Sequence, residues 1–167
     1  MKRFIVILAA VLAFAGCKSK TVVDTSVEGE LDIDSFLGEW YEIARFDYSY
    51  ERGMTKAKAI YAVRGDGVIE FLNTGIVHGE PKYAKGAIKL SDEPRRLRLS
   101  FWGPFYSDYR VFLLDKDYQW ALVGGNSDKY LWIISRTPEL PETARDTILN
   151  DASRRGFDIG KLVWVEQ

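Results

Sequence analysis

From residue 29 onward, short runs in which apolar and polar residues alternate recur along the chain, each bounded by clusters of Gly, Asp, Asn or Pro. A period of two is the mark of a half-buried strand. The spacing predicts strands at 39 to 46, 56 to 64, 67 to 74, 82 to 90, 96 to 102, 109 to 114, 119 to 124 and 129 to 136. Gly65-Asp66-Gly67 and Gly124-Gly125-Asn126-Ser127 supply the sharpest turn signals. One stretch changes period: after Pro141 and Glu142, Ala144, Ile148, Leu149 and Ala152 share a helical face, and Arg154 and Arg155 precede a stop at Gly156. A short ninth strand follows at 161 to 165. The pattern predicts an all-β chain, an eight-stranded antiparallel up-and-down β-barrel with a C-terminal α-helix on its outside. A barrel of that size either holds one small ligand or is filled by its own side chains.

The first residues follow a different rule. Lys2 and Arg3 precede an uncharged run from Phe4 to Gly16, the charged and apolar regions of an export signal. That run is too short for a membrane span. It stops at Phe14-Ala15-Gly16-Cys17, which resembles the lipobox of bacterial lipoproteins, where the cysteine is acylated and becomes the mature N-terminus. The resemblance implies lipidation at Cys17; the absence of Asp at Lys18 implies transfer to the bacterial outer membrane, with the barrel facing the periplasm. An ordinary secretory signal leaving a free thiol is the alternative. Three regions result: a signal at 1 to 16, an acylated tether at 17 to 28, and a barrel domain at 29 to 167. The tether is polar and lacks periodicity, so the barrel is expected to survive its loss.

Composition narrows the chemistry. With 23 basic and 24 acidic residues, the chain carries no footprint for nucleic acid. One cysteine and one histidine leave neither an internal disulfide nor a Cys/His zinc cluster. His78 falls in the predicted turn His78-Gly79-Glu80-Pro81 and reads as a solvated loop residue. The basic cluster Pro94-Arg95-Arg96 reads as solvated, or as a contact for lipid headgroups. The carboxylates are scattered, with no glycosidase pair. No enzyme, cofactor or metal is expected.

Gly38-Glu39-Trp40-Tyr41-Glu42-Ile43-Ala44-Arg45 follows a predicted short helix at Asp34 to Leu37. Leu114-Asp115-Lys116-Asp117-Tyr118 lies between two later strands, and Ser135-Arg136-Thr137-Pro138 ends the eighth. In order and spacing these three segments resemble the signatures of the lipocalins, with Gly38, Trp40, Asp117, Tyr118 and Arg136 as the structural positions. The resemblance runs from about Leu31 through the rest of the chain. It is nearest to bacterial outer-membrane lipocalins, more distantly to apolipoprotein D. Physically, Trp40 is the largest apolar body near the start of the first strand, suited to plug one end. Arg136 can lay its guanidinium over the indole and aim its donors at nearby carbonyls.

Alternation turns Leu97, Leu99 and Phe101 inward against Arg98 and Ser100. The family pattern adds Ala59 and Tyr61, then Ile69, Phe71 and Asn73, then Tyr109, Val111 and Val123. Trp132 is expected to be the main aromatic wall, its N–H meeting Asn73, a water or a headgroup. Unpaired, a buried Asn73 amide costs about 1 to 3 kcal/mol, which favours a ligand or trapped water over a solid core. The resemblance implies a fatty acid or lysophospholipid as ligand, held for lipid storage, transport or envelope maintenance. Two rivals stay open: a lipocalin-scaffold enzyme acting on a lipid or isoprenoid, and a structural envelope protein with a filled barrel. A homodimer is also open.

Overall fold

The computed structural model describes residues 22–167. The signal at 1 to 16 and the acylation expected at Cys17 lie outside the described residues. A four-residue helix, α1 (Ile33–Phe36), leads into β1 (Gly38–Phe46). Then come β2 (Thr55–Val63), β3 (Ile69–Val77), β4 (Glu80–Leu90), β5 (Arg96–Trp102), β6 (Phe105–Leu114), β7 (Trp120–Gly124) and β8 (Leu131–Ser135). Helix α2 (Glu142–Arg154), a 3-10 turn (Ile159–Lys161) and β9 (Leu162–Trp164) finish the chain. Each strand pairs antiparallel with the next, and β1 pairs with both β2 and β8, which closes the barrel.

Two boundaries move outward from the sequence expectation. Strand β3 runs on to Val77 and β4 starts at Glu80, because His78 (φ 52°) and Gly79 (φ 79°) turn the chain in two residues. Strand β6 starts at Phe105, since Gly103 and Pro104 suffice to turn the chain out of β5. At the open end β1 parts from β2 after Tyr41 and takes β9 instead, pairing Ala44 with Trp164 and Phe46 with Leu162. The last residues then bridge the opening: the Lys56 N–H donates to the Glu166 carbonyl, and the Gln167 amide donates to the carbonyls of Glu42 and Ala57.

The core has two halves. Inside the barrel, Phe36, Trp40, Tyr61, Phe71, Ile88, Leu97 and Val111 pack at the closed end. Outside it, α2 buries Ala144, Ile148 and Ala152 against Ile43, Phe46, Phe112, Leu122 and Ile133. The closed end is sealed as the sequence suggests. The Arg136 guanidinium lies 3.8 Å from the Trp40 ring centroid, while the indole N–H donates to the Phe36 carbonyl at 2.8 Å. Arg136 also donates to the carbonyls of Ser35, Leu37 and Glu39, each at 2.8 Å. Tyr118, at φ 56°, accepts the Asp32 N–H on its hydroxyl.

Part of the tether expected at 17 to 28 lies on the barrel from Val23 onward. Val23 is buried in the outer core beside Phe112 and Phe157, and the Asp24 N–H donates to the Arg155 carbonyl. Arg155 in turn donates to the carbonyls of Ser26 and Phe112 and pairs with the buried Asp151. Two apolar residues four apart, Val23 and Val27, among backbone contacts are too few to read as a period.

Trp40→Ala is expected to cost about 3 to 5 kcal/mol in denaturant unfolding, from lost burial and the cavity left behind. A double-mutant cycle with Arg136→Leu should show strong coupling; additive effects would contradict the contact. Val23→Asp should lower stability by about 2 kcal/mol, and a neutral result would restore the free-tether reading.

Candidate functional site

The open end is organised from β1. Trp40 and Glu42 point inward, but the register slips between Glu42 and Ala44 on β8, so Ile43 and Ala44 both join the outer core. That bulge turns Arg45 into the barrel opposite Trp132. Arg45 is 1% exposed, too buried for a guanidinium without partners. It meets the Glu42 carboxylate at 2.6 Å and donates to the carbonyls of Glu51 (2.6 Å) and Met54 (3.1 Å). The β1–β2 loop, residues 47 to 54, is thereby held across the mouth. Glu51 of that loop is 3% exposed, and its carboxylate accepts the Trp132 indole N–H at 3.0 Å.

Below the loop lies a cavity of about 90 Å³, lined by Glu42, Tyr48, Glu51, Ala59, Tyr61, Asn73, Leu99, Phe101, Tyr109, Val123, Trp132 and Ile134. Two wider hollows of about 350 and 570 Å³ adjoin it at the mouth and share Tyr48 and Phe101 with it. Tyr48, Tyr130 and Trp132 form one aromatic cluster, with Tyr130 stacked parallel to Trp132 at 6.1 Å and Tyr48 edge-on to both. The Tyr61 and Tyr109 hydroxyls bond each other at 3.0 Å at the foot of the cavity.

The residues picked from the sequence divide in two. Ala59, Tyr61, Asn73, Leu99, Phe101, Tyr109, Val123 and Trp132 come together on the cavity wall. Phe71 and Val111 are packed into the inner core, and Ile69 lies against that core. Level alone does not divide them, because Phe71 is the cross-strand partner of Tyr61 and Val111 that of Val123. Neighbouring side chains cover them instead, as the Phe101 ring does Phe71 at 4.9 Å. The Trp132 N–H meets Glu51, not Asn73. Sequence reasoning missed Tyr48, Glu42 and Glu51. Glu42 lies two residues after Trp40 and was within reach of the alternation argument. Tyr48 and Glu51 sit on a loop with no period to reveal them.

Burial dominates the electrostatics. It pushes the Glu42 carboxyl up from 4.5 to about 8, with Glu51 adding repulsion and Arg45 opposing both. Glu51 is raised as well by burial, against the Trp132 hydrogen bond and Arg45. Burial likewise pushes Tyr61 up to about 12. Desolvation at the throat thus favours the protonated form of Glu42, with the Arg45 guanidinium at 2.6 Å opposing it. Among the described residues no group of His, Cys, Asp and Glu could hold a metal ion.

Other expected positions fall outside this site. His78 is exposed on its two-residue turn. The basic cluster is not free in water: Arg96 bridges Asp108 at 2.8 Å and Glu93, and Arg95 donates to the Glu30 carbonyl. In the segment 114 to 118 it is Asp115 that holds the turn, accepting the N–H groups of Asp117 and Gln119, while the exposed Asp117 side chain pairs with Lys116.

Residues 31–167 match the model of the lipocalin-like domain. The chain is 40% identical over 174 residues to the outer membrane lipoprotein Blc of Escherichia coli (strain K12), covering 100% of this chain and 98% of that one. Apolipoprotein D of Mus musculus is 30% identical over 152 residues, covering 84% and 79%. Insecticyanin from the tobacco hornworm Manduca sexta has the same fold, with a TM-score of 0.73 at 17% identity over 86% of this chain and 85% of that one.

A carboxyl whose affinity for its proton rises on folding stabilises the folded state fully below its unfolded value. That contribution is lost as pH rises through the folded value. For Glu42 the window is 4.5 to about 8. The melting temperature should therefore fall between about pH 5 and about pH 8. Glu42→Gln, which carries no such proton, should flatten that slope; an unaltered slope would assign it to other groups.

Proposed function

The chain belongs to the lipocalin family, and from that premise we propose that it holds a single-chain lipid, a fatty acid or lysophospholipid, tail first in the mouth of the barrel. Its place is the bacterial outer membrane, as the names of its full-length relatives state. An acylated Cys17 anchors it there on the periplasmic side, with 1 to 16 as the removed signal and 29 to 167 as the barrel domain. Binding a lipid for storage, transport or envelope maintenance is the role this reading supports.

The continuity of the narrow inner cavity with the aromatic hollows above it carries the proposal. Leu99, Phe101, Tyr109 and Trp132 line both the 90 Å³ cavity and the 350 Å³ hollow. The inner space is narrow, about 90 Å³, and suits the end of one acyl chain. The wider hollow falls in the size range of ligand pockets. Glu42, Glu51 and Arg45 at the throat are already desolvated, so a charged headgroup is favoured at the rim, where water still solvates it. Leu99, Phe101 and Trp132 offer methylenes an apolar wall, at about 25 cal/mol per Å² buried.

A filled barrel is answered in part by the packing itself. The closed-end half is solid, yet Asn73 lines the cavity in the upper half. The lipocalin relatives support binding over catalysis.

Native mass spectrometry of protein purified without delipidation is expected to show adducts with the mass of single-chain lipids. Trp132→Ala should weaken fatty-acid binding several-fold with the melting transition retained. Unchanged affinity in that folded variant would move the site away from the mouth.

A further inference from the structure

The large apolar side chains left in water are not scattered evenly. Trp102 is 82% exposed and Phe105 80%, facing each other across the Gly103-Pro104 turn that joins β5 to β6. Tyr50, Tyr83, Phe101 and Tyr130 stand exposed around the same opening. Trp102, Tyr83 and Tyr50 share the 570 Å³ hollow with Phe101 and Lys85, and Trp102 with Phe105 borders the 350 Å³ hollow that leads to the cavity. A folded chain has no internal use for a Trp and a Phe at the tip of a two-residue turn.

We propose that the open end of the barrel docks on a lipid surface through the β5–β6 hairpin and the aromatic rim beside it, so that a lipid passes between bilayer and mouth without crossing water. Trp and Tyr, apolar bodies with a polar tip, are the side chains that settle at the headgroup level of a bilayer. The exposed Lys82 and Lys85 on β4 add positive charge beside the aromatics, complementary to anionic headgroups. The described chain begins on the same side. Helix α2 starts after the closed end of β8 and runs toward the mouth, finishing beside Phe157, which packs on Phe46 at the last step of β1. Val22 lies against Gly156 at that end. Four residues lie between Cys17 and Val22, which makes five steps along the chain. At about 3.4 Å per step these span about 17 Å at most, so an acylated Cys17 would keep the mouth side of the barrel close to the membrane. The inference deepens the lipid-binding reading by adding the surface from which the lipid is taken.

The acylated protein on vesicles of phosphatidylglycerol and phosphatidylcholine with brominated acyl chains tests this, because bromine quenches indole fluorescence only at short range. Quenching in the wild type is expected, with Trp102→Phe removing most of it while the protein still floats with the vesicles. A protein that floats but is not quenched overturns the docking and leaves the anchor standing. A protein that does not float overturns the anchor instead; docking is then decided by whether the Cys17→Ser chain, mixed with the same vesicles in excess, is quenched through Trp102. A dimer in vesicle-free solution that dissociates on joint Trp102→Ser and Phe105→Ser substitution would overturn the proposal and assign the patch to a second copy.

Discussion

Everything in this barrel hangs on how the two ends of a closed sheet are finished, and the closed end is finished by one contact. The Arg136 guanidinium over Trp40 joins the end of β8 to the start of β1. The same cation gathers three carbonyls of the α1–β1 corner, those of Ser35, Leu37 and Glu39. A planar guanidinium can lie flat on an indole face while its in-plane donors reach several carbonyls, a geometry that the point charge of a lysine does not reproduce. With that end solid, any ligand space must lie above it.

Arg45 does the corresponding work at the open end, in a less stable electrostatic setting. Its donors hold the carbonyls of Glu51 and Met54, so the loop over the mouth is tied to the barrel by the same kind of bond that seals the floor. Here, however, the cation has two carboxyls beside it, and desolvation favours a proton on Glu42. The floor is a fixed seal, whereas the mouth is a polar latch among aromatic rings. Its Trp132 both walls the cavity and donates to the loop. The site therefore couples ligand space to loop position through a residue that belongs to both.

The outer layer serves the same geometry. Helix α2 covers the face of the barrel where Ile43 and Ala44 emerge together, and Arg155 at its end clips the N-terminal segment onto β6. The C-terminal residues close the gap where β1 leaves β2. Barrel, helix, the segment from Val23 to Val27 and the C-terminal residues thus form one packed unit, with the aromatic rim left as an uncovered apolar surface near the mouth.

The sequence by itself determined the strands, the helix and the seal. Alternation is a local property, and the pairing of Trp40 with Arg136 follows from recognisable segments at either end of the barrel. Alternation and the family pattern also set which residues face inward, Leu99, Phe101 and Trp132 among them. Which of these border open space was not legible: Phe71 and Val111 face inward like their partners Tyr61 and Val123, but side chains from other strands pack over them in the assembled barrel. A one-residue bulge at Ile43 reverses the facing of everything after it, so Arg45 came inside against the alternation. Glu51 has no period to betray it, and it is buried because the Arg45 donors and the Trp132 N–H, distant in the chain, converge on its loop. Those facts belong to the tertiary structure, since they depend on which side chains meet across strands and not on the order in which they occur.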